Sequence, residues 1–243
     1  MTAAPITPAE TTMSTIGEIQ TPLPALQAVL IGLLAMIVVT GKALWDVATH
    51  AETLVHEGAH VLVGMTAGRT INRVRLERNG GGSTVMAPST GFGFGVAAFA
   101  GYIGPSTAGL IAAKLISIGH SVAVLFLGLL LCALMLLLVR NFFGGTVILI
   151  CGLLLFLVLA STTAGVETAV AYGVTWFLLI SGTKDALGAI RRPKEIIDAG
   201  VLADMTFVFR WVWCFLWLIG TIAALIVGGA ILIHALRLRD TVS

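Results

Sequence analysis

Long apolar runs separated by short polar stretches make up most of the chain. A helix needs about 20 mostly apolar residues, with a lower limit of about 17, to cross a bilayer core about 30 Å thick. The run at 167–183 is near that limit and is the weakest of the set. The pattern predicts an all-α polytopic membrane protein with about six to seven transmembrane helices. The predicted segments are residues 24–41, 44–66, 94–117, 119–139, 145–163, 167–183 and 211–236.

Two stretches interrupt the apolar pattern. Residues 69–87 alternate apolar and charged positions and then turn at a glycine-rich segment, so they predict a small β-hairpin after the second apolar segment. Residues 184–210 are rich in Lys and Arg and predict a polar loop before the last span. The small residues of segment 94–117 predict a face on which other helices pack closely.

Basic residues are distributed unevenly among the connections. Ten of the fourteen Lys and Arg lie in residues 69–93, 140–144 and 184–210. Because cytoplasmic loops carry an excess of Lys and Arg, these stretches are predicted to face the cytoplasm, with the N-terminus inside and the C-terminus outside. The predicted organisation is a disordered tail at 1–23, one membrane-embedded domain at 24–236 with the β-hairpin at 69–87 and a cytoplasmic loop at 184–210, and a short tail at 237–243.

The composition narrows the class of protein further. Hydrophobic residues make up 58% of the chain and charged residues only 11%, where a soluble domain has about 25% charged residues. These values exclude an ordinary soluble enzyme and a disordered scaffold. The formal net charge of +2 leaves no basic surface for a nucleic-acid partner. The sequence predicts an integral, multi-pass membrane protein whose main partner is the lipid bilayer.

The second apolar segment contains residues that could bind a metal or act in catalysis. It contains an HExxH motif, His56-Glu57-Gly58-Ala59-His60. Residues four apart lie on one face of an α-helix, so both imidazoles can bind one zinc ion while the glutamate serves as general base toward a water. The competing reading is a pair of core histidines bonded to backbone carbonyls. The motif favours a Zn²⁺ site with Glu57 as the catalytic residue.

The residues around this motif resemble a known family. The run ETLVHEGAHVLVGMTAGRTINRVRLERNGGGSTV, residues 52–85, resembles the start of the M50 (site-2 protease) family of membrane zinc metalloproteases, and most closely its M50B-like branch. The run GYIGPSTAG at 101–109 is similar to a further block of that branch. The resemblance implies HExxH on a transmembrane helix, a β-hairpin after it, and hydrolysis of membrane-spanning or membrane-tethered peptides. The order Gly58-Ala59 departs from many relatives, which have these small residues reversed.

A catalytic zinc site needs a third protein ligand, which the same helical turn cannot supply. The Asn-x-x-Pro…Leu-Asp-Gly segment of better-known family members is absent. Residues 197–203 instead resemble a Ser-Asp-Ala-x-x-Leu-Ala run of the M50B-like branch, and that resemblance makes Asp198 the first choice and Asp185 the alternative metal ligand. Asp198 can equally serve as a helix N-cap. The residues considered for the third ligand are Glu167, Asp185, Asp198, Asp204 and, last, His120.

Glu52 precedes His56 by one helical turn. Its carboxylate can accept the second N–H of that imidazole and fix the tautomer, as supporting groups around metal ligands do. The alternative is a contact with another polar group inside the helix bundle. His50 points away from His56 around the helix and is not expected to bind the metal.

The favoured function is a zinc-dependent intramembrane endopeptidase. The hairpin can hold a substrate extended by accepting it as an added strand. Two alternatives stay open: a non-catalytic membrane scaffold or subunit that retains a zinc site, and a transporter that uses the buried charges as an ion path. The absence of inverted repeats argues against the transporter. Partner membrane subunits also stay open, because any additional substrate filter must be helical or come from another chain.

Overall fold

The computed structural model describes residues 19–240. Most of the predicted tail at 1–23 and the last residues of the predicted tail at 237–243 lie outside this range. The elements, in chain order, are α1 (Ala25–Thr40), α2 (Lys42–Thr66), β1 (Thr70–Leu76), β2 (Gly82–Ala87), α3 (Phe92–Ser117), α4 (Ser121–Leu138), α5 (Phe142–Ser161), α6 (Ala164–Arg191), α7 (Ile197–Thr206) and α8 (Arg210–Asp240).

Five of these helices are long and apolar enough to cross a membrane, namely α3, α4, α5, α6 and α8. Helices α1 and α2 pass the same test as a pair that is bent by 98° at a short break, which brings the number to six within residues 19–240. The predicted segments 24–41 and 44–66 therefore form one broken span. The architecture is that of a multi-pass helical membrane protein with one small two-stranded antiparallel sheet.

The break between α1 and α2 occurs at Gly41. A Cβ at this position would lie 2.8 Å from the carbonyl oxygen of Ile37, so a glycine permits the sharp bend. The Lys184 side chain, from α6, donates to the free carbonyl of Val39 at 2.6 Å. The same ammonium lies 3.4 Å from the ring centroid of Trp45 on α2, a cation–π contact. Lys184 thus joins α6 to both arms of the broken span.

The basic stretches meet at one end of the bundle. Val74 on β1 bridges to Val139 after α4, and its carbonyl accepts the backbone N–H of Arg140. The turn of the hairpin and the start of α7 line the same cavity. The structure thus places the hairpin, the α4–α5 connection and the α6–α8 connection together, in agreement with their shared side in the sequence prediction.

The first described residues lie at the opposite end of the bundle. The backbone N–H of Gln20 donates to the carbonyl of Gly119, and that of Leu23 to the hydroxyl of Tyr172. This corrects the predicted orientation, in which the N-terminal segment shares the side of the hairpin. The physical reason is the bend, because α1 and α2 cross once rather than twice.

The stretch 184–210 is more ordered than the loop predicted for it. Its first residues continue α6 to Arg191, and residues 197–206 form α7. Burial of apolar side chains explains this order, because Ala189, Ala199 and Leu202 pack into one core cluster with Trp217 of α8.

Helix α3 packs closely against its neighbours, as its small residues predict. A Cβ at Gly104 would collide with Ala59 of α2, and a Cβ at Gly109 would lie 2.9 Å from Leu179 of α6. The absence of side chains at these positions lets α2 approach α3 and so brings the HExxH motif against it.

Candidate metal centre

Helix α2 presents the two histidines of the HExxH motif on one face. The Nε2 atoms of His56 and His60 lie 3.2 Å apart. The Nδ1 atom of His60 lies 2.7 Å from the carbonyl oxygen of Ala97 on α3. If Nδ1 carries the proton and donates to that carbonyl, Nε2 is free as a ligand atom, in the arrangement typical of metal-binding histidines.

Helix α7 brings a carboxylate to this pair. The Oδ2 atom of Asp198 lies 3.4 Å from Nε2 of His56 and 3.4 Å from Nε2 of His60. Within residues 19–240, these three side chains form the one group of His, Cys, Asp and Glu close enough to share a metal ion. Of the five candidates for the third ligand, the structure thus brings Asp198 to the histidines.

The spacing of the three donor atoms suits zinc. Ligands about 2.0–2.1 Å from a tetrahedral ion stand roughly 3.3–3.4 Å apart, which is close to the distances between these atoms. Two imidazoles and one carboxylate are also a ligand set that catalytic zinc sites use. Burial raises the pKa of Asp198, but hydrogen bonds from His56 and His60 lower it more, so the net shift is below its usual range. This direction applies to the metal-free site, where imidazole N–H groups face Asp198 and favour its ionised form. A metal ion would take the place of those protons.

Gly101 on α3 makes room for the donor atoms. A Cβ at this position would collide with the His60 ring and lie 2.6 Å from Nε2 of His56. The imidazoles therefore occupy the space that any side chain at residue 101 would fill. This glycine was interpreted from the sequence only as part of a packing face, and its role at the site follows from the approach of α3 to α2.

Glu57 lies beside the three donor atoms and is buried. Its Oε2 atom accepts a hydrogen bond of 2.6 Å from the hydroxyl of Thr84 on β2. Its Oε1 atom faces Gly82, where a Cβ would lie 2.5 Å away. The hairpin therefore packs directly on the glutamate of the motif. The sequence contained no signal for the contact between Glu57 and Thr84. The two residues lie on different elements, 27 positions apart, and no local pattern relates them.

Glu52 and Asp185 form a pair of their own next to this site. Glu52 is buried and Asp185 is half-buried, and their two carboxyl groups face each other between α2 and α6. Asp185 lies outside the group of His56, His60 and Asp198. For Glu52 the structure shows the polar contact inside the bundle that the sequence left as an alternative, and in residues 19–240 no hydrogen bond joins it to His56.

The other titratable candidates lie elsewhere. His120 is at the start of α4 and Glu167 at the start of α6, both at the end of the bundle opposite the hairpin. Asp204 lines a separate pocket beside Phe207. The ring of His50 packs edge-on against Phe143, with 5.1 Å between the ring centroids.

A cavity of about 340 Å³ opens at the donor atoms. The turn and second strand of the hairpin form one wall, and the start of α7 forms another. Tyr102 of α3 lines it as well, with its ring centroid 4.9 Å from that of His56 and stacked on Trp217. The three donor atoms and the carboxylate of Glu57 thus share one cavity. Tyr102 belongs to the 101–109 run but was not singled out from the sequence.

Comparison with known proteins gave a match to a protein family. The family model described as Peptidase M50B-like matches residues 29–228, a range that includes α2, the hairpin and α7. Searches of the curated proteins and of the solved structures gave no match.

Proposed function

Because the chain belongs to the Peptidase M50B-like family, we propose that it is a zinc-dependent endopeptidase that cleaves membrane-spanning or membrane-tethered peptides. The observation that carries this proposal is the group of His56, His60 and Asp198, with donor atoms 3.2–3.4 Å apart, beside the buried Glu57. Family membership supports a membrane-embedded metalloprotease, and the donor set supports zinc.

The residues of the site would divide the chemistry as follows. His56, His60 and Asp198 would hold a Zn²⁺ ion, which when bound supplies Lewis acidity and brings the pKa of a coordinated water toward about 7. Glu57 takes a proton from the attacking water and returns it to the nitrogen of the departing amine. The hydroxyl of Thr84 takes one acceptor site on Oε2 of this glutamate, and the other lone pairs of the carboxylate stay available for the proton.

One edge of the hairpin is covered by the chain itself. On β1, the carbonyl of Val74 accepts the N–H of Arg140, and the backbone of Leu76 is bonded to the amide side chain of Asn141. These bonds show that the polar backbone groups of Val74 and Leu76 point away from β2. In an antiparallel ladder, the residues opposite such positions also point their backbone groups outward.

The opposite edge is the one that can receive a substrate. Gly82 pairs with Leu76 and Thr84 pairs with Val74, so the backbone groups of Gly82 and Thr84 face away from β1. In the described part of the chain, no hydrogen bond engages these groups. The cavity lies beside this edge. A substrate strand that pairs with β2 is held extended next to Glu57, which exposes its amides to hydrolysis.

Cleavage by the reconstituted full-length chain tests the proposal. Purified protein in liposomes is mixed with a library of labelled transmembrane peptides, and products are identified by mass spectrometry alongside zinc content per chain. We expect about one zinc ion per chain and cleavage that chelation removes and zinc restores. Glu57→Gln should keep the zinc and abolish cleavage, because an amide cannot take the proton.

The other outcomes separate the alternatives. Bound zinc without cleavage of any peptide would favour the non-catalytic subunit. Cleavage by Glu57→Gln at the wild-type rate would place the general base elsewhere. Absence of zinc after purification in its presence would contradict the metal centre.

A further inference from the structure

Thr84 contacts the catalytic machinery although it belongs to the hairpin. Its hydroxyl lies 2.6 Å from Oε2 of Glu57. Among residues 19–240, this is the one hydrogen bond that the carboxylate of Glu57 accepts from the protein. We infer that Thr84 is a positioning residue for Glu57, and that it makes the orientation of the base depend on the strand that also receives the substrate. This inference rests on the proposed function.

The strand around Thr84 is built to hold the carboxylate. Side chains two apart on a strand face the same side, so positions 82 and 84 both face α2. Gly82 leaves space for Oε1, and the hydroxyl of Thr84 binds Oε2. Val74, the partner of Thr84 in the ladder, is fully buried. The position of the hydroxyl is thus set by the packing of the hairpin and not by a flexible loop.

The same residue belongs to the open edge of β2. The outward backbone groups of Thr84 are those expected to bond a substrate strand, while its side chain binds Glu57. A strand bound at this edge therefore restrains the residue that orients the base. The expected consequence is that a bound substrate and a correctly oriented carboxylate occur together.

A second hydroxyl between the hairpin and α2 provides a matched control. The hydroxyl of Thr53 lies 2.6 Å from the carbonyl oxygen of Gly80 and 3.0 Å from that of Thr49, and these two acceptors share its one proton. It joins the hairpin to the helix without a hydrogen bond to Glu57. Thr53→Val therefore weakens the seating of the hairpin, whereas Thr84→Val removes a hydroxyl from the base and keeps the shape of the side chain.

The experiment measures kcat and KM for Thr84→Val, Thr84→Ser and Thr53→Val in liposomes, on the transmembrane peptide that the wild-type chain cleaves. Misplacement of a catalytic group by about 1 Å can reduce a rate about 100-fold, so we expect Thr84→Val to lower kcat roughly 10- to 100-fold. KM and zinc content should stay near the wild-type values. Thr84→Ser should restore most of kcat, and Thr53→Val should change KM more than kcat.

A double-mutant cycle provides a readout other than turnover. The affinity for a peptide hydroxamate of the cleaved sequence is measured with and without Thr84→Val, in the wild-type and in the Glu57→Gln background. If Thr84 acts through Glu57, Thr84→Val weakens hydroxamate binding in the wild type and has little effect in the Glu57→Gln background.

Several results would overturn the inference. These are a wild-type kcat in Thr84→Val, an equal loss of kcat in Thr84→Ser or Thr53→Val, additive effects in the cycle, or loss of zinc from Thr84→Val, which marks a purely structural role. A wild-type chain that cleaves no peptide overturns the proposed function, and the inference with it. Wild-type cleavage that Thr84→Val leaves intact overturns the inference alone.

Discussion

The two helices that supply the donor atoms of the site differ in length, in the number of donor residues they carry and in how they are packed. Helix α2 has 25 residues and carries both histidines within one turn, on a face that packs against α3. Helix α7 has 10 residues and is capped at its C-terminal end by Phe207, which has a positive φ of 57° and is 95% exposed. The pair of imidazoles is therefore defined by local helical geometry, whereas the carboxylate of Asp198 depends on how a short peripheral helix is held.

This difference indicates where the site is vulnerable. Two residues in one turn keep their spacing as long as the turn is helical. Asp198 keeps its distance from them only through the contacts of α7 with α3 and α8, in the cluster that includes Leu202 and Trp217. Changes that leave the HExxH motif intact can thus still remove the third ligand.

The largest effect is expected from the carboxylate itself. Asp198→Ala should lower zinc affinity by more than the roughly 10- to 100-fold typical of a lost supporting group, since it removes a ligand. Asp185→Ala is the matched control and should keep the zinc, because Asp185 faces Glu52 and lies outside the group of three. Titration with zinc of the metal-free proteins measures both. Loss of zinc in the Asp185 variant only would reverse the assignment.

The histidine pair also depends on tertiary structure, because it needs the space that Gly101 of α3 leaves open. Gly101→Ala should lower zinc affinity roughly 10- to 100-fold, because the added methyl group occupies the space of both imidazoles. Gly109→Ala, on the same helix, introduces a close but less severe contact, 2.9 Å from Leu179, away from the site and should retain zinc. Equal zinc affinity in the two variants would show that α2 moves to accommodate the methyl group.

Packing beneath the two helices can be compared directly. Leu202 of α7 and Leu54 of α2 are each 3% exposed. Leu202→Ala should loosen α7 and lower zinc affinity by roughly tenfold, the smaller end of the range for supporting groups. Leu54→Ala should lower the melting temperature and leave zinc affinity unchanged. A larger loss of zinc from Leu54→Ala would contradict the view that the histidine pair is locally defined.

The smallest effect on the metal is expected at the break between α1 and α2. Lys184→Ala removes the bond to the carbonyl of Val39 and the contact with Trp45. We expect a loss of about 1.5–3 kcal/mol in the free energy of unfolding, as for a charged hydrogen bond, with zinc affinity retained. Thermal unfolding in detergent and zinc titration measure the two quantities. Zinc loss without destabilisation would connect the break to the site.

The fold could be predicted from the sequence as far as local patterns reach. The apolar segments and the alternation at 69–87 are periodic features, and the helices and the hairpin appear where these patterns place them. The number of spans was harder to predict from the sequence, because the chain between α1 and α2 turns within a single residue at Gly41. Whether two helices form one span or two depends on the direction of the second helix. A hydropathy pattern gives the length of an apolar segment but not its direction.

For the site, the sequence by itself determined the pairing of His56 and His60 and the position of Glu57 beside them, because residues one and four apart on a helix have a fixed geometry. It also limited the third ligand to four acidic residues and, last, His120. Only the tertiary structure decided that Asp198 reaches the histidines, that Asp185 pairs with Glu52, and that Thr84 binds Glu57. These contacts join residues far apart in the chain. They arise from the packing of α3, α7 and the hairpin on α2, and no local period in the sequence encodes that packing.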